Sequence, residues 1–146
     1  MGDIMKRIFL TVLSVVSITT LAHAEISVSG IKAKKIALAL EAAGAFFDSG
    51  MGKVGTEASE VKCLVTGNSV NQKSYSCTLS VQSETGDMKP VSLEGKSAKN
   101  LFRALATAGA DGDCGMGKCS AEAQSVNVEY QNSKNPPEES YSASIN

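Results

Sequence analysis

Ser29 to Gly44 reads SGIKAKKIALALEAAG, and 65 positions later Glu94 to Gly109 reads EGKSAKNLFRALATAG. In the first stretch Ala33, Ile36, Ala37, Leu40 and Ala43 recur at spacings of three and four, which gives a helix one apolar stripe. The second stretch carries the same stripe as Ala98, Leu101, Phe102, Leu105 and Ala108. Gly44 and Gly109 stand where each helix stops, because glycine enters the left-handed closing conformation without a Cβ clash.

The constant offset reaches beyond the helices. Gly30, Ala33, Lys34, Ala39, Leu40, Ala43 and Gly44 are repeated as Gly95, Ala98, Lys99, Ala104, Leu105, Ala108 and Gly109, and the tetrapeptide GMGK occurs at 50–53 and again at 115–118. Ile26 and Val28 match Val91 and Leu93, and with a one-residue slip the segment Tyr75 to Leu79 meets Tyr141 to Ile145. Matches in fixed register across several segments read as a tandem duplication.

Period-two alternation marks the strands: Val61, Cys63, Val65; Tyr75, Cys77, Leu79, Val81; Val126, Val128, Tyr130; and Tyr141, Ala143, Ile145. Gly67, Asn68 and Asn71 turn the first pair into a hairpin, and the stretch around Pro136-Pro137 does the same for the second. Pro90 belongs at the start of its strand, where the missing N–H matters least. The expected fold is α+β: a tandem pseudo-twofold duplication of a β-α-β-β unit, with about six antiparallel strands, two helices on one face and two disulfides.

Residues 1–24 read as a secretory signal peptide: Lys6-Arg7, an apolar run from Ile8 to Leu21, and Ala22-His23-Ala24 as the small-x-small cleavage site. The mature part, 25–146, is then a single α+β domain built from repeats 25–89 and 90–146. The expected location is outside the cytoplasm, periplasmic or secreted, with no membrane insertion after cleavage. Without Asp3, Lys6 and Arg7 the formal charge is −2, which gives no electrostatic case for nucleic acid as a partner.

The chain has one histidine, His23, which lies in the segment to be removed. The mature part therefore has no imidazole for Ser-His-Asp, Cys-His or His-zinc chemistry. Four cysteines, Cys63, Cys77, Cys114 and Cys119, suit two disulfides in an exported chain. The midpoint of Cys63 and Cys77 is the turn of their hairpin, so they pair across it, and the second repeat has Val128 and Ala143 at the same places. Cys114 and Cys119 bracket the second GMGK and tie its loop.

The GDCGMGKC stretch from Gly112 departs from a nucleotide-binding P-loop at Cys119, where Ser or Thr ligates magnesium, and it follows a helix rather than a buried strand. Asp111, Asp113 and Glu122 fit three places of a calcium-binding EF-hand loop, but Gly115 and Met116 fail at others, leaving Asp111 and Asp113 as weak calcium candidates. No carboxylate pair stands out for hydrolysis, and no cofactor is expected.

The reading that remains is a non-enzymatic binding protein, in its sharpest form an inhibitor of another protein of the envelope or medium. Its candidate contacts are the adaptable methionines and the lysines of the two loops, Met51, Lys53, Met116 and Lys118. In layout alone this resembles the secreted β-lactamase inhibitor proteins, whose tandem helix-plus-sheet repeats present loops to an enzyme; none of that family's motifs occurs here. The alternatives are a structural or adhesive envelope component, or a small hydrolase or redox protein.

Overall fold

The computed structural model describes residues 25–46, 54–67, 72–113, 118–134 and 137–146. The predicted signal segment, 1–24, lies outside them. Along the chain the elements are β1 (Ile26–Ser29), α1 (Ile31–Ala42), β2 (Val54–Thr66), β3 (Ser74–Gln82), β4 (Met88–Glu94), α2 (Gly95–Ala108), β5 (Asp111–Asp113), β6 (Lys118–Lys134) and β7 (Pro137–Ile145).

All strand pairs are antiparallel and form one sheet in the order β1-β7-β6-β2-β3-β4, with β5 attached to β6. The six-strand path and two helices agree with the expected α+β architecture, and β5 is an addition that the alternation did not reveal. Exchanging β1 with β4, β2 with β6 and β3 with β7 leaves the order unchanged. Each edge strand leads directly into a helix.

Both helices pack against one side of the sheet and against each other. The stripes do what their spacing predicts: Ile36 and Leu40 of α1 and Leu101 and Leu105 of α2 are fully buried. They meet Val61, Cys63, Cys77, Val81, Val126, Val128 and Ile145 from alternate positions of four strands. Burying one such aliphatic side chain contributes roughly 1.5–3 kcal/mol, so this single cluster supplies the main drive for folding. Among the described residues no helix covers the other side of the sheet, and its alternate residues, such as Ser76, Thr78, Ser92 and Glu122, are exposed.

Two glycines open the helices, both with positive φ. Gly30 has φ 66° and Gly95 has φ 63°, both in the region that side chains disfavour. Neither has anything within 4 Å of where a Cβ would sit, so the requirement comes from the backbone alone.

The central pair β2 and β6 is longer than the alternation implied, running in register from Val54↔Tyr130 to Leu64↔Ser120. Near its middle both strands carry an extra residue: the buried positions go from Ala58 to Val61 in β2 and from Ala123 to Val126 in β6. Glu60, at this shared bulge, takes φ 51° and is the one described non-glycine residue with positive φ. Pro90 sits third in β4 rather than at its start, and is tolerated because β4 is an edge strand.

Candidate functional site

The two GMGK loops are anchored at opposite ends of the sheet. Met51, Lys53 and Met116 lie outside the described residues, but the strands they lead into do not. The first loop enters β2 at Val54, which pairs with Tyr130 near the far end of β6; the second enters β6 at Lys118. The run of β6 from Lys118 to Tyr130 separates these anchors by roughly 40 Å at about 3.3 Å per residue. The separation follows from the antiparallel pairing of β2 with β6, since each loop leads into the start of its own strand.

Cys63 and Cys77 are joined, with Cα atoms 4.1 Å apart, and are direct partners in the β2–β3 register. Both sulfurs are buried under α2, Cys77 Sγ lying 3.4 Å from the Ala98 carbonyl oxygen. This bridge belongs to the core. Cys114 lies outside the described residues, while Cys119 is half-buried on β6. Asp111 and Asp113 are both in β5, paired with Ala121 and Lys118. Among the described residues no group of three or more His, Cys, Asp and Glu side chains is placed to hold a metal ion.

A cavity of about 1080 Å³ opens where β6 leaves β5 and meets β7, beside the shared bulge. Glu60, Lys62, Thr78, Asp111, Glu122 and Gln124 line it together with backbone of the α2–β5 junction. Its charges are mixed: Lys62 Nζ is 3.6 Å from Glu122 Oε1, an exposed pair of small energetic weight.

The fold also forms two similar lysine–tyrosine sites that motif reading did not single out. Lys34 Nζ stands 5.7 Å from the centre of the Tyr141 ring, and Lys99 Nζ stands 5.6 Å from the centre of the Tyr75 ring. Both distances suit a cation–π contact. The signal was present in the sequence, since Lys34 matches Lys99 and Tyr75 matches Tyr141, but only the fold brings each helix lysine over its strand tyrosine.

The surroundings of the two sites differ. At the first, Lys34 also approaches Glu139 Oε2 at 3.9 Å, and the Tyr130 and Tyr141 rings are 4.8 Å apart. Burial pushes both phenols above their ordinary range, and the Glu139 carboxylate adds to this. At the second, Tyr75 contacts Phe102 with ring centres 5.9 Å apart, and a groove of about 850 Å³ is lined by Lys73, Lys96, Lys99 and Arg103, with Glu94 at one side.

Comparison with protein-family models, with curated proteins and with solved structures found no match to this chain.

Proposed function

We propose that the chain is an exported, non-enzymatic binding protein, built by tandem duplication, that contacts another protein through its GMGK loops. Its duplication is supported by four paired features: the strand order that survives exchange of the halves, the two positive-φ glycines, the two lysine–tyrosine contacts, and Cys63–Cys77 matched by Val128–Ala143. Export is supported by the signal-like N-terminal segment and by the buried disulfide, which suits an oxidising compartment. The second bridge of this reading joins Cys114 to Cys119 and restrains the second loop.

The observation that carries the binding role is the placement of the loop anchors at the two ends of a sheet whose second side is covered by no helix among the described residues. One partner touching both loops must lie along the sheet, with an extended contact area; a smaller partner meets one loop. Restraint lowers the ordering cost of binding, which favours the second loop.

Capture of partners from envelope extracts by immobilised protein tests this, using Lys53→Glu, Lys118→Glu and the double variant. Loss with either single variant indicates a partner lying along the sheet, and loss with Lys118→Glu alone indicates the restrained loop. Full capture by the double variant overturns the loop reading.

A further inference from the structure

We propose that the groove beside Tyr75 is a docking site for an acidic peptide segment of a partner protein, its carboxylates held by Lys73, Lys96, Lys99 and Arg103. The molecule supplies its own comparison, because the same lysine–tyrosine frame occurs at the other end of the sheet. There Lys34, over the Tyr141 ring, approaches the carboxylate of Glu139, which stands two residues before that tyrosine in an extended strand. The residue two before Tyr75 is Lys73. The second frame thus has a cation where the first has its carboxylate.

Two flanking positions change in the same direction, while Lys35 and Ser29 give way to Asn100 and Glu94 on the groove. Ile31 and Leu38, 74% and 52% exposed on α1, are replaced at the 65-residue offset by Lys96 and Arg103 on α2. Among the described residues, no ion pair involves Lys73, Lys96, Lys99 or Arg103, and Glu94 is the one carboxylate on the groove. Four cations against one anion, on a mature chain of net charge −2, form a local positive field. Like charges gathered around one groove repel each other, and an incoming carboxylate relieves that repulsion while pairing with them.

The occupant is a peptide rather than a small anion because the carboxylate of the first frame is presented by extended backbone. The groove, at about 850 Å³, accommodates several residues of such a strand. Tyr75 offers its ring as an apolar floor, already capped on one side by Lys99.

Fluorescence anisotropy of a labelled Glu/Ser decapeptide on the disulfide-intact protein tests the proposal. The peptide is expected to bind, to weaken as salt rises, and to lose at least about tenfold in affinity with Lys99→Met/Arg103→Gln. Lys73→Glu restores the internal carboxylate and is expected to abolish binding with an unchanged melting temperature, whereas Lys34→Gln/Lys35→Gln at the other end has no effect. Absence of peptide binding, equal loss at both ends, or binding of sulfated oligosaccharide or anionic vesicles without the peptide each overturns it. Lys53 and Lys118 are native in every variant, so failure of the loop reading leaves this result unaffected.

Discussion

Val128 and Ala143 face each other across β6 and β7 in the relation that Cys63 and Cys77 hold across β2 and β3. One hairpin is closed by a covalent bond and its counterpart by an apolar contact, within the same core. The bond is therefore a stabiliser of a frame that also forms without one. Replacing Cys63→Val and Cys77→Ala together is expected to preserve the fold while lowering stability by about 3 kcal/mol, the loop-closure value for a ring of this size. Chemical denaturation of the double variant, with circular dichroism in the absence of denaturant, checks both halves of the statement.

Alkaline titration gives a second expectation. Tyr130 and Tyr141 have phenols raised above the ordinary value, first by burial and then by Glu139. A raised folded-state pKa means that the unfolded chain releases its protons first. Stability is then level below the ordinary phenol pKa of about 10 and falls as pH rises through and beyond it. Urea midpoints measured from pH 8 to 11 should show this decline, and Tyr130→Phe should flatten it. A decline of the same size in that variant would remove Tyr130 from the explanation.

Backbone conformation predicts opposite signs at two kinds of position. Gly30→Ala and Gly95→Ala each force a side chain into positive φ with no packing to gain, at an expected loss of about 1–2 kcal/mol. Glu60→Gly relieves the positive φ at the bulge and is expected to be neutral or stabilising by up to about 1 kcal/mol. Thermal melts of the three single variants decide the matter.

Ala98 is fully buried, with its carbonyl oxygen 3.4 Å from Cys77 Sγ. Ala98→Leu overfills this contact between α2 and the disulfide, at an expected loss of about 1–3 kcal/mol. Exposed Lys96→Leu, two residues earlier and facing solvent, should be nearly silent in the same denaturation assay.

The helices were legible because the stripes of Ala33–Ala43 and Ala98–Ala108 have period and caps that agree, and the offset of 65 tested one against the other. The hairpins were legible from Cys63 and Cys77 and from the tyrosine-led strands. The first halves of β2 and β6 were not. Their inward residues are Thr56 and Ala58, and Ala121 and Ala123: a polar threonine and three alanines of weak strand preference, which together carry no strong apolar alternation. The shared bulge hid them further, since one extra residue reverses the parity that sequence reading relies on. The groove beside Tyr75 was invisible for another reason: Lys73, Lys96, Lys99 and Arg103 are spread over a turn and a helix, and only the pairing of β3 with β4 gathers them.

The sheet order has a consequence in time. β1 is the earliest described strand to be synthesised, yet its hydrogen-bonding partner is β7, with Ile26 opposite Ile145 and Ser29 opposite Ser142. Contacts of such long sequence separation form late, after the intervening chain has been ordered. The opening strand must wait, unpaired on that side, until the last one arrives, so a chaperone that shields Ile26 and Val28 would act in that interval, and truncation after Ser140 would leave the wait without an end.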